Sequence, residues 1–251
     1  MKDFTGTTVI VVGASRGLGR GIAEAFREAR ANVVAVSRSG PSFPEVTGGG
    51  SIQSELADAA DALVPRQVLS RHRPDVVVLV AGATPHMAPL KQQTWETFSA
   101  NWETDVRITF QWLREILLHP LKPGSRVVVI SSGAALGGSP LSGGYAGAKV
   151  TQRFITAYAQ DEAKRAGMDI TFTAILPRFS PQTGVGGPAV DAYAARAGQS
   201  REQYLSSFVQ ANGPLVTPEV AGAALVDLVA EDSAKIFPAY LLTGNGLKKL
   251  P

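Results

Sequence analysis

Tyr145 and Lys149 stand four residues apart in a stretch that reads as helix, so their side chains share one face. An ammonium beside a phenol favours the phenolate, which makes the pair a device for moving a proton. Of the five tyrosines in the chain, only Tyr145 has a lysine at that spacing. Ser132 follows the apolar run Arg126 to Ile130, at the strand end where open α/β sheets place their chemistry. Its hydroxyl is suited to hold a carbonyl oxygen while Tyr145 protonates it.

Elements elsewhere in the chain must bring a reaction partner to these groups. Thr7 to Val12 reads as a buried strand. It leads into Gly13-Ala14-Ser15-Arg16-Gly17-Leu18-Gly19, then into helical spacing at Ile22, Ala23, Phe26 and Ala29 up to Arg30. Strand, glycine turn and helix make a phosphate-binding unit. The glycines let backbone approach a pyrophosphate, and the free N–H groups of the helix start point at it. A second strand, Asn32 to Ser37, ends in Ser37-Arg38 where NAD-preferring proteins place an acid. An acid there repels a 2′-phosphate, whereas Arg38 clamps one, with Arg16 closing from the other side. The expected cofactor is therefore NADP(H).

Ser132, Tyr145, Lys149 and the Gly-x-x-x-Gly-x-Gly turn resemble the short-chain dehydrogenase/reductase family, in the same order and at the same separation, from about Thr7 to Thr243. The resemblance implies a three-layer Rossmann domain with a doubly wound parallel sheet of about seven strands. It implies reduction or oxidation between a carbonyl and an alcohol, with Lys149 also holding the nicotinamide ribose. It further implies contacts to the cofactor from Gly13, Ser15, Arg16, Gly17, Leu18, Gly19, Ser37, Arg38, Ala81, Gly82, Tyr145, Lys149, Pro177 and Arg178. Against the adenine, the family's acid and apolar residue correspond to Glu55-Leu56, with Asp58 as the rival. By the same resemblance the protein is a homotetramer or homodimer, packed through the helices that carry Asp105 and Tyr145.

Several positions depart from the family pattern. Leu79-Val80 stands where Asn-Asn usually precedes Ala81-Gly82, so hydrogen bonds made there across the sheet are absent or replaced. The family's catalytic Asn falls at Asp105, with Asn101 one turn earlier as the fallback. In the family that residue helps hold a water linking the lysine to solvent, largely through its backbone carbonyl, which Asp retains. Arg178 replaces a glycine after Pro177, and Ser180 or Thr183 stands in for a following threonine.

The remaining elements are expected as follows. Gly40 to Gly50 is loop. Ile52 to Leu56 is a third strand, Ala59 to Arg71 a helix with Pro65 awkwardly placed, and Val76 to Val80 a fourth strand. Thr94 to Leu118 is one long helix, Ile170 to Leu176 a sixth strand, and Tyr240 to Thr243 the last. Two short helices, Ala189 to Ala197 and Arg201 to Gln210, form a substrate lid at about 178–215 within a single domain, 1–251. Thr217-Pro218-Glu219 starts a helix that runs to about Glu231.

Composition limits the alternatives. With 251 residues, 45% hydrophobic and 18% charged, the chain can bury one large α/β core. A net charge of +3 gives no basis for nucleic-acid binding, and zero cysteines exclude disulfides and thiolate metal sites. His72, His86 and His119 are not at ligand spacing, so no metal is expected. The first strand begins directly after the N-terminus, and no apolar run is long enough for a bilayer, so a cytoplasmic protein with no membrane partner is expected. The partner is a small carbonyl or alcohol. Two other readings compete: a non-catalytic NADP-binding sensor or scaffold, and a halohydrin-lyase relative, which the dinucleotide glycines disfavour.

Overall fold

The computed structural model describes residues 2–44 and 48–251. Part of the loop expected over Gly40 to Gly50, residues 45–47, therefore lies outside the described residues. Among the described residues, eight strands form one sheet in the order β3-β2-β1-β4-β5-β6-β7-β8. They are β1 (Thr8–Val12), β2 (Asn32–Ser37), β3 (Ser51–Leu56), β4 (Val76–Leu79), β5 (Ser125–Ile130), β6 (Ile170–Pro177), β7 (Ala239–Thr243) and β8 (Gly246–Leu250). All neighbours are parallel except β7 and β8, which pair antiparallel.

The central strands are apolar on both faces because helices cover both. From β1, Val9 and Val11 pack with Phe26 and Leu225, which belong to α1 (Gly17–Glu28) and α9 (Pro218–Val229). Ile10 and Val12 turn the other way, toward Trp112, Ile116 and Ala159. Those lie on α4 (Arg107–Leu118) and α6 (Gly143–Arg165). The strand order reverses between β1 and β4, where chains of this topology open a crevice at the carboxyl ends of the strands.

Three expectations change. An eighth strand follows the expected last one. Gly244-Asn245 turns the chain and Gly246 sits at φ +96°, a left-handed conformation that glycine adopts without strain, so the edge folds back as a hairpin. Helix α2 (Val64–His72) starts later than expected, which puts Pro65 in the first turn, where a missing N–H costs nothing. The long helix is not uniform. Thr94 caps α3 (Trp95–Asn101), a π-turn follows over Trp102–Val106, and α4 continues from it. A one-turn helix, α5 (Ala134–Gly137), follows β5. The segment expected as a lid contains α7 (Gly186–Ala197) and α8 (Arg201–Asn212). Among the described residues, no helix is long and apolar enough to cross a membrane.

Candidate active site and dinucleotide cleft

One cleft of about 770 Å³ runs across the carboxyl ends of the strands. Its walls include the glycine turn, Ser37 and Arg38, the Ala57–Ala59 segment, the loop after β4, the Ser132 turn, Tyr145, Lys149 and the lid. Most of the chemistry-bearing residues singled out in the sequence therefore meet in one place, although they come from the ends of six strands, β1 to β6, and from α6.

The glycine turn is shaped for close approach. Gly13 has φ +95°, and a Cβ there would sit 2.6 Å from the Ala81 nitrogen. The β1 turn and the β4 turn thus touch backbone to backbone at the switch point. Helix α1 begins at Gly17 with no side-chain cap hydrogen bond at its N-terminus, so its first N–H groups face the cleft unclaimed by a capping side chain. That cradle fits a dinucleotide pyrophosphate. The Arg16 guanidinium lies over the lid loop, with its Cζ 3.0 Å from where a Cβ of Gly184 would be.

Beyond β2 the structure differs from one expectation. Glu55 and Leu56 lie outside the cleft. Glu55 pairs instead with Arg71 and, at 3.1 Å, with His72, both on α2. Burial opposes the charge of Glu55, but the His72 and Arg71 hydrogen bonds outweigh it and hold the carboxyl below its usual range. Leu56 is exposed near Gly40. Asp58, the rival candidate, lines the cleft, with one carboxylate oxygen accepting from the Ala60 N–H at 3.0 Å. Ser37 is buried and donates to the Ser39 carbonyl at 2.5 Å, while Arg38 remains exposed at the cleft wall.

Around Tyr145 and Lys149 the polar groups interlock. Lys149 is buried, its Nζ 5.4 Å from the centroid of the Tyr145 ring and 3.1 Å from Asp105 Oδ2. Burial alone would push the Lys149 ammonium down. Asp105, helped by Tyr145, outweighs burial and holds the ammonium above the ordinary lysine value. Asp105 in turn accepts from the Ala83 N–H at 2.8 Å and from Asn101 Nδ2 at 3.3 Å. Asn101 also donates to the Ala83 carbonyl at 2.8 Å. Asn101 and Asp105 together therefore tie the loop after β4, where the side chains of Leu79-Val80 supply no hydrogen bonds. Gly82 makes this possible, because a Cβ there would sit 2.8 Å from Asp105 Oδ2.

The backbone carbonyl of Asp105 overturns a second expectation. It accepts from Thr109 Oγ1 at 2.8 Å and from Gln152 Nε2 at 3.1 Å. A carbonyl oxygen has two lone pairs, and both are taken by side chains, so a water link to Lys149 through this atom does not fit. Asn101, the fallback for this role, lies outside the cleft wall and acts as a tether.

Ser132 Oγ accepts from the Ala134 N–H at 3.2 Å, which leaves its proton free to donate. Ser131 donates to the Lys149 carbonyl at 2.7 Å and so fixes α6 to the end of β5. After β6, Pro177 and Arg178 line the cleft, but the Arg178 side chain reaches α8, donating from Nη1 to the Asn212 carbonyl at 2.9 Å. Thr183 donates to the Ser180 carbonyl and accepts from the Gly186 N–H, so it caps the start of the lid, and its methyl lies against Gly17. Ser180 is buried, its hydroxyl without a partner among the described residues.

Sequence reasoning missed the aromatic roof. Tyr193 from α7 stacks on Tyr204 from α8 with centroids 6.3 Å apart, and Phe179 meets Tyr204 and Phe208 at 6.3 and 4.9 Å. Tyr193 also hydrogen-bonds Ser139 beside the Tyr145 helix. The signal was present as Tyr204 and Phe208 at helical spacing. Among the described residues, no group of three or more His, Asp or Glu could hold a metal ion.

Known proteins are similar to this chain. A family model described as short chain dehydrogenase matches residues 7–190. The hydroxynaphthalene reductase-like protein of Metarhizium robertsii is 29% identical over 209 residues, covering 78% of this chain and 73% of its own. Glucose 1-dehydrogenase 2 of Bacillus subtilis is 27% identical over 265 aligned positions, covering 100% of this chain and 98% of its own. The solved structure of an NAD+-bound xylitol dehydrogenase superposes with a TM-score of 0.80 at 17% identity, covering 97% of this chain and 100% of that one.

Proposed function

This chain belongs to the short-chain dehydrogenase/reductase family, and we propose that it interconverts a carbonyl and an alcohol with NADP(H). The observation that carries this reading is that Ser132, Tyr145 and Lys149 open into the same cleft as the glycine turn. Gly13, Ser15, Gly17, Leu18 and Gly19 would hold the pyrophosphate, Asp58 the adenine side, and Arg16 and Arg38 a 2′-phosphate. The nicotinamide supplies or accepts the hydride. In reduction, Ser132 Oγ donates to the substrate oxygen and the Tyr145 hydroxyl gives it a proton. In oxidation, Tyr145 removes that proton. Lys149 presents its charge beneath the Tyr145 ring and keeps a donor for the ribose hydroxyls. The aromatic roof that α7 and α8 contribute would shut water from the reacting atoms.

The test is NADPH oxidation, followed by absorbance, against ketones, diketones and quinones. Turnover of any of them supports the reading, and tight NADPH binding without turnover would favour a non-catalytic sensor. The Lys149–Asp105 pair is the observation that favours that second reading, because the carboxylate offsets the charge that Tyr145 needs.

We also place a subunit interface on α4 and α6. Phe110, Phe154 and Tyr158 are exposed there, with Phe154 and Tyr158 stacked at 6.5 Å. Light scattering after size exclusion should give a dimer or tetramer.

A further inference from the structure

We propose that Arg178 and the aromatic roof form a subsite for a substrate that joins a ring to a carboxylate. This deepens the reading above and rests on it for the position of the reacting carbonyl. Arg178 directly follows Pro177 at the end of β6, and its Cα would lie 3.4 Å from a Cβ at Gly133, the residue after Ser132. Its backbone therefore stands beside the Ser132 turn, and Arg178 lines the same cleft as Ser132, Phe179 and Phe208.

Its charge is uncommitted. Nη1 donates to the Asn212 carbonyl at the end of α8, which uses one of the five guanidinium donors. Among the described residues Arg178 forms no ion pair. The acidic side chains among the described cleft walls are Asp58 and Asp105. Asp105 is held by Lys149, and Asp58 lies on the segment after β3, at the opposite end of the cleft's strand order. Lys149 is offset by Asp105, so among the described residues Arg178 carries an unpaired positive charge at the β6 end of the cleft.

The apolar wall beside it is a continuous aromatic surface. Phe208 sits four residues before Asn212 on α8, and Asn212 Nδ2 donates to the Phe208 carbonyl at 3.1 Å. Phe179, next to Arg178 in the chain, packs on Phe208 and Tyr204. A ring laid on Phe179 and Phe208 would bring a carboxylate substituent to the planar guanidinium fork, which matches its two oxygens. The simpler role for Arg178 is to cap the C-terminus of α8. A cap would support the lid for every ligand alike, whereas the subsite discriminates by charge.

The probes are 3- and 4-acetylbenzoate and their methyl esters, with NADPH for turnover and with NADP+ for calorimetric binding. The native protein should favour the acids over the esters by about 10- to 100-fold in KM or Kd, the worth of a charge-assisted hydrogen-bond pair. Arg178→Gly should erase that ratio, and Arg178→Lys should restore part of it. Equal affinities for acid and ester in the native protein would overturn the proposal. So would an Arg178→Gly variant that weakens both alike, since that is the signature of a cap. If no probe turns over but acid binding still falls selectively in Arg178→Gly, the subsite stands, and the redox reading fails only if the ketone, diketone and quinone panel is also inert. Absence of acid binding altogether sinks the subsite.

Discussion

The ammonium of Lys149 lies 3.1 Å from the carboxylate of Asp105, with 6% and 1% of the two side chains exposed. The cation beneath Tyr145 is therefore partly neutralised by its own neighbour. Alcohol oxidation needs the phenolate, so Asp105→Asn, which frees the ammonium's charge, should move the rising limb of the oxidation pH profile to lower pH. The expected shift is about half a unit to one unit. Superimposable profiles, or a shift upward, would refute the electrostatic role of Asp105.

The same pair bears on stability. Asp105→Leu leaves a buried, unpaired ammonium and should cost about 3–5 kcal/mol at pH 7. Lys149 is raised above its unfolded value, so the pair's contribution is complete below about pH 10.4 and is lost as pH rises through the folded value. Urea unfolding of both proteins at stepped pH measures this. A gap under about 1 kcal/mol at pH 7, or one that widens at alkaline pH, would contradict it.

Tyr145→Phe removes the hydroxyl and keeps the ring that lies over Lys149. Turnover should fall at least about a hundredfold, the usual worth of a positioned acid, while NADPH binding stays nearly intact. Retention of more than about a tenth of the activity would assign the proton to another group.

At the far end of the cleft, NADP should bind at least about ten times better than NAD, or about 1.4 kcal/mol. Replacing Ser37 with Asp and Arg38 with Leu together should reverse the order. Equal dissociation constants in the native protein would remove the clamp assigned to Arg16 and Arg38.

Glu55 and Asp58 can be separated by binding. Asp58→Ala should weaken NADP by about 2- to 10-fold, the range of one hydrogen bond. Glu55→Gln should leave the dissociation constant within about twofold, because its partners are Arg71 and His72 rather than the cleft. The opposite pattern would restore Glu55 to the adenine side.

The parts of this site that were legible in the sequence are those set by local geometry. Four residues on a helix join Tyr145 to Lys149, and a glycine turn between a strand and a helix marks a phosphate cradle. Ser132 was legible because it follows an apolar strand. What stayed hidden depends on contacts distant in the chain. Glu55 and Asp58 differ by three positions, and only the packing of β3 against α2 decides which of them turns toward the cleft. Nothing local says that Arg178 will reach a carbonyl 34 residues away. Nor does a run of helix-forming residues reveal that Gln152 will occupy the Asp105 carbonyl from a different helix. The hairpin into β8 had its Asn-Gly signal, but the resemblance to a seven-stranded pattern drew the boundary one strand early.

The π-turn at Trp102–Val106 sets a phase. An ordinary helix advances about 100° per residue, and a five-residue closure inserts one residue without lengthening the path by a full turn. Upstream of it, Asn101 is aimed at the loop after β4. Downstream, Thr109 and Trp112 are aimed at α6 and the sheet. The two segments need different rotations, and the wide turn absorbs the mismatch while leaving Asp105 against Lys149. Deleting one residue between Trp102 and Val106 would give a more regular helix and the wrong enzyme. Either Asn101 would swing away from Ala83, or Trp112 would leave the core. The irregularity works as a gear between the half of the helix that serves the site and the half that serves the core.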